Sequence, residues 1–392
     1  MKKDGPKLPQ VFENPALPKT KRLGAAAAKL TLQAAYRGFQ PTEDAPFAKT
    51  PDLPRLKRFY VQTDDGWQLP VYRLPVHPHG SGEPIILAPS PKGVAPLEKL
   101  LGYIYGEFDR IGLDHDLVQM VPNPPSKDKT ARLMQLADML VVTGSQSNVR
   151  SAYSSGTPAI GVGMGNVVTI VDETADLDDA AQKIQRSKCF DNATSCSSEN
   201  AVIIVDSVYD ECISELQRAG GMLLDQAQTK HLIATHWHNG HLNRKMLAQD
   251  IDTVLSTLEM TNTAPENTKY LMAPARGIGP DHPVSGEKMA LFLAVYRAND
   301  FDDAKAKARA IHDYQGRGHS LGLHSHHDQR ARELAMEMQA CRIIVNQAHC
   351  FATGGSFDNG LPFSLSMGCG SWGGNSIDDN LNWKHFVNRV RI

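Results

Sequence analysis

The segment GTPAIGVGMGNVVTIVDETADLDDAAQKIQRSKCFDNATSCSSENAVII, residues 156–204, contains the pattern on which the fold assignment depends. The strand pattern AIGVG is followed by a predicted helix over Asp176–Phe190 and by a second strand pattern, AVIIVD. Cys196 lies between helix and strand among Ala, Thr and Ser residues, which leave little bulk over its sulfur. A buried structural cysteine is the alternative. Hydroxyls and backbone N–H groups can stabilise a thiolate, so we expect Cys196 to be a nucleophile.

Alternating strand and helix patterns continue on both sides of this segment, beginning with the strand pattern PIILAP at Pro84. Short apolar runs separated by helices are typical of an α/β fold with a doubly wound parallel sheet. We predict two domains in series: a partial dinucleotide-binding domain over 84–166 and a catalytic thiol domain over 167–375. A C-terminal tail, 376–392, is a candidate oligomerisation segment.

Residues 1–83 have a different composition, rich in proline and basic residues. We predict one amphipathic helix near Ala25–Arg37 and a β-hairpin, RFYVQT-DDG-WQLPVYRL, that turns at Asp65–Gly66. A linker over His77–Pro84 follows. This arrangement resembles the opening of an α/β-hydrolase.

Composition and charge limit the possible partners and the compartment. The chain has 392 residues, a net charge of −2 and no basic block, so neither nucleic acid nor a membrane surface is an expected partner. Six cysteines without paired short spacings favour reduced thiols. The opening MKKDGPKLPQ lacks the apolar core of a signal peptide. These features predict a cytoplasmic protein.

The segment 156–204 and the later GCGSWGGNS resemble CoA-acylating aldehyde dehydrogenases, over about Pro84 to Ile392. The motif ATSCSSEN at 193–200, called the cysteine segment below, is more similar to the members that act on sulfoacetaldehyde than to those specific for acetaldehyde. The resemblance implies an aldehyde dehydrogenase-like α/β fold with a Rossmann-type cofactor domain, N-terminally truncated here, and an α/β catalytic domain. It also implies that Cys196 is the catalytic nucleophile and that the assembly is a homo-oligomer.

The reaction class depends on a carboxylate that is missing. Hydrolytic relatives carry a glutamate in an ELGGK-like segment, where it activates water. The matching segment here, GVGMGN at 161–166, has no carboxylate. A thioester on Cys196 should then survive until the thiol of coenzyme A attacks it. We therefore expect oxidation of a small aldehyde, with sulfoacetaldehyde favoured, to an acyl-CoA.

Further site residues follow from the resemblance. Thr143, Gly144 and Ser145 end one predicted strand and open a helix, where free N–H groups favour a pyrophosphate. Glu287 matches a glutamate near the nicotinamide ribose; a solvated carboxylate is the alternative. His319 matches a histidine near the thiol; a surface histidine is the alternative.

The cofactor is NAD or NADP, and the sequence leaves the choice open. Ala88 stands where hydrolytic relatives place a cofactor-binding lysine. No metal site is expected, because the clustered histidines lack the spacing of a zinc site. We interpret them as parts of polar loops; they are His236, His238, His241, His324, His326 and His327.

Two alternatives remain open. GHSLG at Gly318–Gly322 fits the nucleophile elbow of an α/β-hydrolase, with Ser320 as nucleophile. The second alternative is a catalytically inactive family member, because nothing in residues 1–83 matches the family's oxyanion-hole asparagine. Loss of such a donor lowers turnover by about 10²–10³. Weak or no activity is therefore expected. Arg317 and Arg342 are candidates to bind a sulfonate.

Overall fold

The computed structural model describes residues 57–62, 68–73, 85–87, 94–121, 124–144, 146–238 and 241–386. The helix predicted at Ala25–Arg37, the turn at Asp65–Gly66 and the linker His77–Pro84 lie outside these residues. Both strands of the predicted hairpin are present and pair in antiparallel fashion.

Fifteen strands occur in the described residues: β1 (Lys57–Gln62), β2 (Gln68–Arg73), β3 (Ile85–Leu87), β4 (Val118–Met120), β5 (Leu140–Val142), β6 (Ala159–Gly161), β7 (Val167–Val171), β8 (Glu199–Val205), β9 (Gly221–Leu223), β10 (Trp237–His238), β11 (His241–Leu242), β12 (Tyr270–Pro274), β13 (Phe292–Ala298), β14 (Leu321–His324) and β15 (Ile343–Val345). 

The α-helices of the same residues are α1 (Val94–Ile111), α2 (Lys127–Leu136), α3 (Gln146–Tyr153), α4 (Leu177–Cys189), α5 (Tyr209–Arg218), α6 (Gln226–His236), α7 (Ile251–Thr257), α8 (Phe301–Tyr314), α9 (Asp328–Glu337) and α10 (His349–Thr353). Short 3₁₀ helices include one at Phe190–Ala193, directly before the cysteine segment. Among the described helices, none combines the length and apolar content that a membrane span requires.

One seven-stranded sheet organises the C-terminal part, with the order β15-β14-β7-β8-β13-β12-β9. Every neighbouring pair in it is parallel. Strands β3 and β4 form a separate parallel pair, and β5 and β6 form another. The predicted α/β class with a parallel sheet is confirmed.

Both faces of the seven-stranded sheet are buried, as the near-continuous apolar runs of its strands require. In β8, Ala201 and Ile203 pack on one face in the larger core, and Val202 and Ile204 pack on the other. Helices α4 and α5 cover the second face, whereas α6, α7, α8 and α9 contribute to the first. Most residues discussed next lie in the segments that lead into the amino ends of β7, β8, β13 and β14.

The helix predicted over Asp176–Phe190 and the strands predicted from PIILAP, AIGVG and AVIIVD occur within one or two residues of their expected bounds. Strand β7, VVTIV, is at the centre of the sheet but was not predicted, because it follows the glycine-rich stretch at which we divided the domains. That division near 161–166 and the domain bounds stay predictions.

Candidate active site

The polypeptide enters the cysteine segment through a strained turn. Three consecutive non-glycine residues, Asp191, Asn192 and Ala193, have positive φ angles of 49°, 50° and 60°. Asp and Asn adopt this left-handed region more easily than other side chains, whereas it is unusual for alanine. Such strain persists only where surrounding packing enforces it and is common at functional sites. The turn ends helix α4 and directs the chain towards Cys196.

Cys196 is half-buried, and the ring of His319 faces its sulfur. The distance from His319 Nε2 to Cys196 Sγ is 3.3 Å, although the two residues are 123 positions apart. His319 itself is 1% exposed, so the alternative of a surface histidine is wrong. A thiol next to an imidazole is the arrangement in which a base can activate a nucleophile.

The thiol is neutral at rest, contrary to the expectation of a stabilised thiolate. Burial raises the pKa of Cys196 to about 11, and the nearby carboxylate of Glu287 raises it further. A hydrogen bond with Ser197 and the charge of Arg342 act in the opposite direction but do not overcome desolvation. Cys196 therefore needs a base when it reacts.

His319 has the charge state that a base requires. Burial lowers the pKa of His319 to about 3, and the positive charge of Arg342 lowers it as well. The imidazole is consequently neutral at pH 7, with one nitrogen available as an acceptor.

Glu287 acts on the thiol through its charge, and two hydrogen bonds fix the backbone at this position. Its backbone N–H donates to Gln315 Oε1 at 3.0 Å, and the N–H of Lys288 donates to Asn200 Oδ1 at 3.0 Å. Burial raises the pKa of Glu287 to about 7, so a solvated carboxylate is the wrong description. The sequence did not point to Asn200. It is the last residue of ATSCSSEN, and its hydrogen bond with Lys288 links that segment to the residue after Glu287.

The glycines of segment 161–166 allow it to pack closely against the nucleophile. A Cβ atom on Gly165 would lie 2.1 Å from the Cys196 carbonyl oxygen, and one on Gly163 would lie 2.7 Å from Cys369 Sγ. Both distances are far below van der Waals contact, so these positions accept no side chain. None of the six residues of the segment is a carboxylate.

Thr143 and Gly144 form the predicted turn between a strand and a helix. They follow β5 and precede α3, and Gly144 has a φ of 116°, which favours glycine. The nearest atom to a Cβ built on Gly144 is Asn148 Nδ2 at 4.0 Å, so the turn is open. An open turn directly before a helix N-terminus is the type of backbone site that fits a phosphate group. Ser145 lies outside the described residues, as does Ala88.

The structure gives the hydrolase alternative no support. Ser320 is fully buried and immediately precedes strand β14, whereas a nucleophile elbow requires an exposed serine between a strand and a helix. Its hydroxyl lies between the rings of His319 and His349.

Neither arginine candidate has a free guanidinium. Arg317 is paired with Asp313 at the surface, at 2.8 Å. Arg342 is buried and donates to the carbonyl oxygens of His319 and Gly368 and to Asn380 Oδ1. It stabilises the protein around His319 and acts on the thiol through its charge.

The clustered histidines do not converge on one point. Within the described part of the chain, no group of three or more His, Cys, Asp or Glu side chains is arranged to hold a metal ion. The interpretation as polar loops is wrong for four of them. His236 ends α6 and His324 ends β14, and both are buried, whereas His238 and His241 lie in the short strands β10 and β11. The ring of His236 contacts the Lys288 carbonyl oxygen through Nε2 at 2.9 Å.

Known proteins share this arrangement of sequence and fold. A model of the aldehyde dehydrogenase family matches residues 82–361. The acylating sulfoacetaldehyde dehydrogenase of Cupriavidus necator is 50% identical over 311 residues, which make up 79% of this chain and 63% of that protein. The acetylating succinate-semialdehyde dehydrogenase of Clostridium kluyveri is 34% identical over 309 residues, 79% of this chain and 67% of that protein.

A solved structure agrees with these sequence matches. A probable aldehyde dehydrogenase from Listeria monocytogenes has a TM-score of 0.75 and 29% identity, covering 78% of this chain and 67% of that one. The chain thus spans about two thirds of the length of these relatives. The fold expected from the resemblance is confirmed, and the chain belongs to the aldehyde dehydrogenase family, in the group that includes these acylating enzymes.

Proposed function

We propose that this chain oxidises a small aldehyde to an acyl-CoA through a covalent intermediate on Cys196. The observation that carries the proposal is the contact between the Cys196 sulfur and a buried, neutral His319. His319 Nε2 accepts the thiol proton as the sulfur attacks the aldehyde carbonyl, which gives a thiohemiacetal. Oxidation of that adduct leaves an acyl thioester on the same sulfur.

The acceptor for acyl transfer is coenzyme A rather than water. No residue between Gly161 and Asn166, the segment that carries the water-activating glutamate in hydrolytic relatives, is a carboxylate. The thiol of coenzyme A is itself a good nucleophile once it loses its proton, and His319 is the nearest neutral base to the thioester sulfur. Acyl transfer returns Cys196 as a free thiol.

The residues that would hold the dinucleotide are Thr143 and Gly144 with the start of α3, and Glu287 on the ribose. Bound NAD or NADP would supply the hydride acceptor. Glu287 fits this role because its backbone is fixed by the hydrogen bond to Gln315 and its charge acts on the thiol. Its alternative role is to activate water, which would release a carboxylic acid in the absence of CoA.

Sulfoacetaldehyde is the proposed substrate, on the wording ATSCSSEN and the name of the relative that is 50% identical. Its sulfonate carries a full negative charge, and Arg342 places a buried positive charge near Cys196. Succinate semialdehyde, also an anionic aldehyde, is the second candidate, because the Clostridium kluyveri protein is named for it.

The test measures how fast reduced nicotinamide forms when the full chain is mixed with aldehyde, CoA and NAD or NADP. Anionic aldehydes should react faster than acetaldehyde or propionaldehyde, and acyl-CoA should be the product. Cys196→Ala should abolish the signal. Cys189→Ala, the same change at the end of α4, serves as the matched control and should retain it.

Two outcomes would contradict the proposal. Carboxylic acid formed without CoA would assign Glu287 the water-activating role. Absence of both turnover and a Cys196 thioester, the latter detectable by mass spectrometry after acyl-CoA is added in the reverse direction, would favour the inactive family member. The proposal also includes a homo-oligomer, which size-exclusion chromatography with light scattering would measure.

A further inference from the structure

A chain of hydrogen bonds continues behind His319, on the side away from the thiol. His319 Nδ1 lies 2.7 Å from Ser320 Oγ, and the same oxygen lies 2.8 Å from His349 Nε2. All three side chains are buried, with at most 1% exposed. The atoms therefore form a continuous series, Cys196 Sγ, His319, Ser320 and His349, closed off from solvent at its far end.

The hydrogen bonds on the two sides of the Ser320 hydroxyl must donate in the same direction along the series. A neutral imidazole has one N–H and one acceptor nitrogen, and a hydroxyl has a single proton. If Ser320 donates to His349 Nε2, then His319 Nδ1 must donate to Ser320, and His319 Nε2 presents a lone pair to the thiol. If the order is reversed, Nε2 carries a hydrogen and cannot accept the thiol proton. The role proposed for His319 therefore requires the first order, which places the hydrogen of His349 on Nδ1, a buried nitrogen without a hydrogen-bond partner among the described residues.

Burial keeps both rings neutral, so this logic applies at pH 7. The pKa of His349 is well below its ordinary value chiefly because the ring is desolvated, and the positive charge of Arg342 lowers it as well. Were both rings to donate to Ser320, its hydroxyl proton would have no acceptor among the contacts of the described residues, which is costly in a buried site.

Strand β8, which follows Cys196 in the chain, helps to fix the position of His349. His349 begins helix α10, and its backbone N–H donates to the carboxylate of Glu199, the first residue of β8. Space for the ring depends on Gly322, because a Cβ there would lie 3.1 Å from His349 Nδ1 and 2.4 Å from Thr169 Oγ1. The far end of the series is thus held by the same strand as the nucleophile.

We propose that Ser320 and His349 are positioning residues that hold His319 in the tautomer with hydrogen on Nδ1, so that Nε2 is the base for Cys196. In the step concerned, the S–H bond of Cys196 breaks and an N–H bond forms at Nε2. The pair of electrons stays on sulfur, and Ser320 Oγ accepts the Nδ1–H hydrogen bond of the imidazolium. The inference rests on the proposed roles of Cys196 and His319.

The first measurement is the rate at which iodoacetamide alkylates Cys196, followed by peptide mass spectrometry between pH 6 and 9. A thiol with a pKa of about 11 is roughly one part in 10⁴ ionised at pH 7, so assistance by a base is visible as excess rate. Ser320→Ala and His349→Ala should each slow alkylation at pH 7.5 by about 10- to 100-fold, as expected when a partner of a functional histidine is lost.

Controls separate a positioning role from a structural one. Ser320→Thr keeps the hydroxyl and should restore most of the rate lost in Ser320→Ala. Adding Ser320→Ala to His319→Ala should cause no further loss, because the serine acts only through the histidine. Additive losses, or a Ser320→Ala rate equal to that of the unchanged protein, would overturn the proposal.

A second measurement needs no substitution at Ser320 or His349 and decides the matter if those variants fail to fold. Proton–nitrogen correlation spectra of the full chain with ¹⁵N-labelled histidine identify the protonated ring nitrogen of His319, assigned by its loss in His319→Gln. Hydrogen on Nδ1 is expected, and hydrogen on Nε2 would refute the inference. Neither measurement uses aldehyde, CoA or nicotinamide, so a chain without turnover would still test it.

Discussion

The seven-stranded sheet and the two short strand pairs before it differ in how completely their residues are buried. Every residue of β7 and β8 is buried, and so are all but one in β13. In β3 and β5, by contrast, Ile86 is 42% exposed and Val141 is 39% exposed. The two regions carry different parts of the proposed chemistry.

The more buried region holds the reacting thiol, and the less buried region holds the open Thr143–Gly144 turn. Reacting atoms need fixed geometry, which close packing on both faces of a sheet supplies. A phosphate site built from backbone N–H groups requires only a correctly shaped turn at the start of a helix. We therefore expect substitutions in the sheet to have larger effects than equivalent ones in the strand pairs.

The largest effect is expected from Ile203→Ala at the centre of β8. Ile203 is fully buried in the larger core, and truncation of such a residue lowers the free energy of unfolding by about 2–5 kcal/mol. Ile86→Ala in β3 is the matched change and should lower it by less than about 1 kcal/mol. Urea denaturation followed by circular dichroism measures both; equal losses would contradict the comparison.

The next effect concerns a buried carboxyl in the same sheet. Burial raises the pKa of Glu199 to about 7 in the folded protein, above its ordinary value of 4.5. Below pH 4.5 the group is protonated in both states and has no effect. Between pH 4.5 and 7 the unfolded chain releases the proton while the folded protein retains it, so stability falls as pH rises, by up to about 3 kcal/mol.

Glu199→Gln removes that contribution. Relative to the unchanged protein, the variant should gain stability between pH 5 and pH 8, as measured by urea denaturation at each pH. Its amide oxygen can still accept from the backbone N–H of His349. Glu98→Gln, at an exposed position on α1, is the control for loss of one carboxylate. A difference between variant and unchanged protein that does not vary with pH would contradict the prediction.

The smallest effects compare two glycines. Gly165→Ala places a Cβ 2.1 Å from the Cys196 carbonyl oxygen, and such overpacking destabilises by about 1–3 kcal/mol. It should also slow alkylation of Cys196, since the segment must move. Gly102→Ala, in α1, meets nothing within 4 Å and should stabilise by about 0.5–1 kcal/mol. Thermal unfolding would measure both, and opposite signs are required.

The sequence predicted the position of the thiol better than it predicted the ionisation of the thiol or the residues around it. Local patterns gave Cys196 in a segment of small residues, and the resemblance gave His319 and Glu287. The ionisation of the thiol was predicted wrongly, because the polarity of adjacent residues was visible whereas desolvation by distant ones was not. Asn200, Ser320 in its present role and His349 were missed for the same reason.

The amino-acid sequence by itself determined the α/β alternation apart from β7, the small residues around Cys196 and the glycines of 161–166. These depend on periodicity and side-chain size, which are properties of neighbouring residues. Only the tertiary structure decided that His319 meets the thiol across 123 positions, that Ser320 and His349 stand behind it and that the thiol is neutral. Hydrogen bonds between distant segments and the removal of water from a charge exist only once the chain has folded.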